Sequence, residues 1–335
     1  MLVYIVIRKI KMIICKCYVV PLLYFLKYLI PISRTKLAFV FDTRNLHDGL
    51  GAQMQRFFSV YSLAQFLNVN FYSDLVRNIS IHPFDGIYSK TDYEVFLRKV
   101  NVFLKIDVFA IPIKFFISRS DINEVRVEKL SISRLLHLIF LGMGSDTYIF
   151  IENTYPIIDL MPSLYKYASI EFGQHSKFGK KQGIALHYRV GAGGNSIYPG
   201  QKIPRETDSS RFVSILTSIS PKLTLNIFTD SPSNDVDFKV PSWQDSYWRG
   251  TPRYKNGVIS IKGLDVEKLF SNTNSNIKIH IGGDPLDTIF EMAQYKILIA
   301  SKSSMSYVAG ILGENDQVYL PRDFWHTKLP KWKSF

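Results

Sequence analysis

The chain has 335 residues, 41 basic and 28 acidic side chains, a formal charge of +13 and 47% hydrophobic residues. This length favours two domains or one large one, since single cores stop growing at roughly 250–300 residues, and the apolar content excludes a disordered chain. Cys15 and Cys17, separated by one residue, are the only cysteines, which excludes a disulfide-rich scaffold and a structural zinc module.

The charge is unevenly placed. Residues 1–41 carry Arg8, Lys9, Lys11, Lys16, Lys27, Arg34 and Lys36 and no acid. Lys16 and Lys27 bracket only ten residues, with Pro21 among them, whereas a spanning helix needs about 20 apolar residues. No small-residue cleavage site of the signal-peptide kind follows the apolar stretch. Apolar bulk interleaved with Lys and Arg suits a segment lying on an anionic membrane surface, so residues 1–35 are expected to associate with a membrane. A buried strand–helix pair, or a true start at Met12, remains the alternative.

From residue 36 strands and helices alternate. KLAFVF (36–41) reads as a buried strand, DTRNLHDGLGA (42–52) as a glycine turn and 53–67 as a helix, with Met54, Phe57, Phe58, Tyr61, Leu63, Ala64 and Leu67 at helical spacing. VNFYS (69–73) reads as the next strand. Helices are expected near 92–104 and 125–141, and a strand at 147–153. A second unit opens with the strand 183–189, a polar loop at 191–208 and a helix at 210–219. Then come a strand at 223–230, a loop at 231–256 and a strand at 278–283. The helix 284–295 has Asp284 as N-cap and Pro285 at its first position. A strand at 296–301, a helix at 303–312 and a strand at 317–321 finish the pattern. Two α/β lobes follow, 36–175 and 176–335, with ligands expected outside the carboxyl ends of the strands.

Four strand ends carry suggestive residues. His47-Asp48-Gly49-Leu50-Gly51-Ala52-Gln53 leads into a helix, where free amides and glycines form an anion site. It is neither a full GxGxxG nor a P-loop, which disfavours ATPase chemistry. His187-Tyr188-Arg189-Val190-Gly191 places a guanidinium, whose planar fork suits a diphosphate, after a strand. Thr229-Asp230 ends another strand, and Ser301-Lys302-Ser303-Ser304-Met305-Ser306 opens a helix. Singly, each also reads as a tight turn, an ion pair or an N-cap. Jointly they give the layout expected for a nucleotide diphosphate between two lobes.

These runs resemble the motifs of α-1,2-fucosyltransferases and related GDP-fucose-dependent transferases. Asp48 to Gln53 is similar to their G-G-L-G-N-Q turn, His187 to Gly191 to H-x-R-x-G-D, and Ile227-Phe228-Thr229-Asp230 to their strand ending in S/T-D. The stretch from Asp287 through Ile311 resembles their E-M-x-x-C…N-S-S-F-S-W-W block. The resemblance covers residues 42–321 in the family's order, with Ala52, Ala192, Met305 and Tyr307 as departures.

It implies a GT-B-type α/β fold, two Rossmann-like lobes facing a central cleft, and an inverting glycosyltransferase that requires no metal or other cofactor. The implied reaction moves fucose from GDP-fucose to a hydroxyl of a surface-polysaccharide repeat unit, such as O-antigen or capsule. By that resemblance Arg189 holds the diphosphate and His187 and Gly191 support the pocket. Asp230 reads the nucleoside, Ser303, Ser304 and Ser306 contact phosphate oxygens, and Gly49, Gly51 and Gln53 close the other side. Arg189 is also the expected catalytic cation. Glu206, Asp208 and Asp48 are the candidates for a base. Asp235-Val236-Asp237 has the DxD form of another glycosyltransferase fold but reads as a solvated turn. The expected partners are a nucleotide-sugar donor, a glycan or lipid-linked oligosaccharide acceptor and the cytoplasmic face of the inner membrane. Another donor sugar, or a catalytically silent scaffold, is the alternative. Nucleic acid is not expected, because the basic residues lie in an apolar segment rather than among stacking aromatics.

Overall fold

A computed structural model describes residues 17–33, 37–43, 48–82, 84–106, 123–127, 132–142, 147–151, 154–176, 179–189, 208–219, 223–248, 254–274 and 276–335. Its first strands are β1 (Leu37–Phe41), β2 (Asp48–Gly49), β3 (Asn70–Ser73), β4 (Ile79–Ser80), β5 (Asn123–Val127) and β6 (Thr147–Ile151). There follow β7 (Lys181–Tyr188), β8 (Leu225–Thr229), β9 (Val236–Lys239), β10 (Tyr254–Lys255) and β11 (Val258–Ile261). The last are β12 (Ile277–Ile281), β13 (Tyr295–Ile299), β14 (Gln317–Leu320) and β15 (Lys333–Ser334).

The fold is α/β with parallel sheets, in two compact units. The first holds the described residues of Met1–Leu46, Arg56–Arg77 and Asn101–Ile170, and the second those of His47–Gln55, Asn78–Val100 and Glu171–Phe335. In the first, a parallel sheet runs β3-β1-β6-β5. β1, Leu-Ala-Phe-Val-Phe, is buried along its whole length, as a parallel strand covered on both faces must be. Phe57 meets Phe41 and Phe71 edge-on, with ring centroids 5.6 and 5.2 Å apart.

In the second unit a six-stranded parallel sheet runs β12-β8-β7-β13-β14-β15. Helix Ser209–Ser218 lays Phe212, Ile215 and Leu216 against Ile184, Leu186 and Ile227. Tyr188 then stands edge-on to Phe212 and Phe270. A small antiparallel sheet, β10-β11-β9, encloses Trp248 with Val240, Ile259 and Ile261.

Two expectations need correction. The helix expected over 125–141 begins only at Ile132, because Asn123–Val127 pairs with β6 as a strand. Glu-Val-Arg-Val alternates with period two, the mark of a strand, and the neighbouring helical pattern masks it. The loop expected over 231–256 contains β9, β10 and the short helix Asp245–Trp248. These elements are too short to show a period, and their apolar residues bury against one another, β11 and Phe84.

Candidate functional site

Within the second unit, four parallel strands end in one place. β7 delivers His187 and, just past its end, Arg189; β8 delivers Phe228, Thr229 and then Asp230; β12 runs into Gly282 and Gly283. β13 leads through Ser301 to helix Ser304–Leu312, whose Met305 joins them. With His82, Asp85, His280 and Thr288 these residues line a pocket open to solvent. Its position follows from parallel pairing, which brings the carboxyl ends of successive strands to the same edge of a sheet.

Arg189 is the main cation of the pocket. Its Nη1 donates to Ser303 Oγ at 3.2 Å, and its buried Nε has no partner among the described residues. Ser303 is also the N-cap of helix Ser304–Leu312, its Oγ accepting from the Met305 amide at 3.3 Å. The guanidinium is thus tied to a helix start, where partial positive charge collects. His187 is buried, with Nδ1 3.0 Å from Ser301 Oγ. Burial and then the Arg189 cation push its pKa down to about 4, against the opposing pull of Asp230. The imidazole is therefore neutral at pH 7. Two residues apart, at and just past the end of β7, a cation and a neutral ring offer an anion hydrogen bonds without a second full charge to bury.

The glycines have different duties. A Cβ on Gly51 would stand 2.4 Å from the Met305 backbone nitrogen, so the starts of helices Leu50–Leu67 and Ser304–Leu312 meet backbone to backbone. That contact sets the Gly51 turn against Ser304 and Met305, at the start of the helix that Ser303 caps. Gly49 has room, its nearest neighbour being His82 Nε2 at 3.7 Å. Gln53 is buried and its Nε2 donates to the carbonyls of Asp48 and Asn78, which pins the turn to β4 rather than offering an amide to the pocket. Asp48 accepts from the Gly49 amide at 2.9 Å and is not among the residues lining the pocket. Ser306 is fully buried, its hydroxyl donating to Ser303 O. Ser304 begins the helix and is half-buried. Asp208 caps helix Ser209–Ser218 through the Ser210 amide. Gly191 and Glu206 lie outside the described residues.

Sequence reasoning missed the far side of Gly282 and Gly283. The His82 amide donates to Asp85 Oδ2 at 2.6 Å, and the Asp85 amide returns a bond to His82 O at 3.1 Å. The Gly283 amide then donates to Phe84 O at 2.7 Å. Gly282, at φ 66°, passes so close that a Cβ would come within 2.0 Å of that same oxygen. The turn is clamped to the end of β12, and its Asp85 enters the pocket. Burial raises the Asp85 pKa to about 8; the His82 amide opposes this, Asp230 and Asp284 reinforce it, and Arg189 lowers it. Nothing in the run His82 to Gly86 signals chemistry by spacing, because its partners lie about 100–200 residues away in sequence.

Among the described residues no group of His, Cys, Asp or Glu is arranged to hold a metal ion. The Asp235-Val236-Asp237 run is exposed, as a solvated turn would be, but part of it is strand. Asp237 lies on β9 and accepts from Ser260 Oγ at 2.6 Å, while Asp235 accepts from the Gly263 amide at 2.8 Å.

No family model matches the chain, and no curated protein matches it. Among solved structures it is similar to a crystal structure of POFUT1 in complex with GDP, with a TM-score of 0.38 and 10% sequence identity. That alignment covers 90% of this chain and 98% of the other. A likeness so distant carries no residue correspondence.

Proposed function

We propose that the chain is a glycosyltransferase whose donor is a nucleotide diphosphate sugar bound in this pocket. The carrying observation is the Arg189 guanidinium, held by Ser303 at a helix start with its Nε unpartnered, beside a neutral His187. Sugar transfer from such a donor releases negative charge onto the diphosphate as the bond to the anomeric carbon breaks. A fixed guanidinium and helix-opening amides stabilise that charge, and stabilisation of this kind is often the largest catalytic term. Asp230, at the end of β8, is the group proposed to read the nucleoside. The motif resemblance makes GDP-fucose the donor of choice and a surface-polysaccharide hydroxyl the acceptor, with no metal in the reaction.

The acceptor is proposed to be lipid-linked at the cytoplasmic face of the inner membrane. No helix among the described residues is long and apolar enough to cross a membrane. Residues 17–29 nevertheless form a helix that buries Val19, Leu23 and Leu26 and turns Tyr18, Phe25 and Tyr28 outward, at 75%, 54% and 69% exposure. An aromatic outer face, in a stretch with seven basic residues and no acid through residue 41, fits the interface of an anionic bilayer.

Thermal-shift and calorimetric titration with GDP, UDP, CMP and dTDP tests the donor, since a ligand that binds only the native state raises its stability. GDP should give the largest shift, and GDP-fucose should release GDP. If none of the nucleotides stabilises the folded protein, the transferase reading is wrong. GDP binding without release from GDP-fucose would favour a different donor sugar or a silent binder.

A further inference from the structure

We propose that Asp85 is the proton acceptor of the transfer reaction, taking the proton of the attacking hydroxyl through its Oδ1. This rests on the transferase function proposed above and supplies a base for it. In an inverting displacement the acceptor oxygen bonds to the anomeric carbon while the carbon–phosphate oxygen bond breaks. The electron pair of the broken bond leaves with the diphosphate. The hydroxyl proton passes to the carboxylate, which returns it to solvent after the product departs. Charge balances, since the negative charge lost by Asp85 appears on the nucleotide.

The geometry singles out this residue. Among the described residues, Asp85 and Asp230 are the two acids lining the pocket that holds Arg189. Asp48 is engaged with its own turn outside that lining, and Asp208 with a helix cap. In Asp85 one oxygen, Oδ2, is fixed by the His82 amide, while Oδ1 has no hydrogen-bond partner among the described residues. The turn itself cannot drift, being bonded through Phe84 O to the Gly283 amide and pressed onto Gly282. A base that must meet a hydroxyl at about 3 Å gains from such fixing, because small misplacements cost large rate factors.

The electrostatics agree. Among the described residues, the charged and titratable groups around the carboxyl are His82, His187, Arg189, Asp230, His280 and Asp284. Burial lowers the pKa of both His187 and His280, which favours the neutral ring in each. The Asp284 charge is met by Lys99 at 3.0 Å. Arg189 and the His82 amide oppose ionic isolation, yet burial together with Asp230 leaves Asp85 near pH 8. A carboxylate of that basicity is a far better acceptor than an exposed one, and it is poised close to working pH.

The test uses the full chain and GDP-fucose. Asp85→Asn retains an oxygen for the His82 amide but cannot take a proton. GDP release should fall about 100-fold or more, while GDP affinity measured by calorimetry stays within about threefold of the native protein. Native kcat/KM should rise by about tenfold per pH unit below pH 8 and then level, and Asp85→Asn should lack that limb. Asp85→Glu should restore part of the turnover. Two results would overturn the proposal: turnover retained in Asp85→Asn, or turnover and GDP affinity falling in the same proportion, which would make Asp85 a donor-binding group. If the native protein binds no nucleotide, the donor assignment fails first and takes this one with it. If native protein turns over GDP-fucose and Asp85→Asn matches it, only the base assignment fails.

Discussion

Arg189 and Asp85 have opposite chemistry in one pocket, and each makes its own prediction. Replacing Arg189 with Ala removes a charge-assisted partner of the diphosphate and should weaken GDP binding by about 10–100-fold, from about 1.5–3 kcal/mol. Lys, a point charge without the fork, should recover only part of that loss in the same titration. Asp85 is held near 8 in the native state against 3.8 when unfolded. The folded state therefore keeps a proton that the unfolded state releases first, and stability drains as pH rises from about 4 toward 8. Asp85→Asn should accordingly unfold at a higher temperature than the native protein at pH 8, with the gap closing as pH falls to 4. His187 acts at the other end. Its pKa falls from 6.5 to about 4 on folding, so stability present above pH 6.5 is lost as pH drops through 4. The loss is on the order of 3 kcal/mol and should be visible in denaturant titrations of native protein against His187→Gln. Arg189 was legible from its place after an apolar strand, but its tie to Ser303 was not. Asp85 carried no signal at all, since its neighbours are supplied by β7, β8 and β12.

At the scale of elements, the glycine turn separates two residues that look alike in sequence. Gly51→Ala must push helix Ser304–Leu312 away from the start of helix Leu50–Leu67, whereas Gly49→Ala meets nothing closer than 3.7 Å. Gly51→Ala should therefore lower both the melting temperature and GDP affinity, and Gly49→Ala should lower neither appreciably, as a thermal-shift series with and without GDP will report. Asp284 caps helix Pro285–Gln294 by accepting from the Leu286 and Asp287 amides at 2.8 and 3.2 Å. Asp284→Ala should cost about 1 kcal/mol plus whatever its half-buried ion pair with Lys99 contributes, measurable by urea unfolding. That cap, with Pro285 at the first helical position, is local chemistry and was readable directly. The strand Asn123–Val127 was not: its pairing with β6 overrides the helical spacing that surrounds it.

At the scale of the whole molecule, the +13 charge and the outward aromatic face of residues 17–29 predict binding to anionic surfaces. Co-sedimentation with vesicles containing phosphatidylserine should exceed that with neutral vesicles, should weaken with salt, and should drop when Tyr18, Phe25 and Tyr28 are replaced by Ser. Retention on neutral vesicles alone would argue against the charge component. The sequence by itself determined the parallel α/β character, because unbroken apolar runs such as Leu37–Phe41 and alternating helical spacing are written locally. It also determined which strand ends bear Arg189, Asp230 and the Ser303–Ser304 helix start. Only the tertiary structure decided that Gln53 and Ser306 serve the backbone, that His187 is neutral, and that Asp85 joins Arg189. Those outcomes depend on burial and on contacts that reach from a neighbouring turn of the same helix to residues 199 positions apart, as Phe84 and Gly283 are, and neither propensity nor periodicity encodes a desolvated charge.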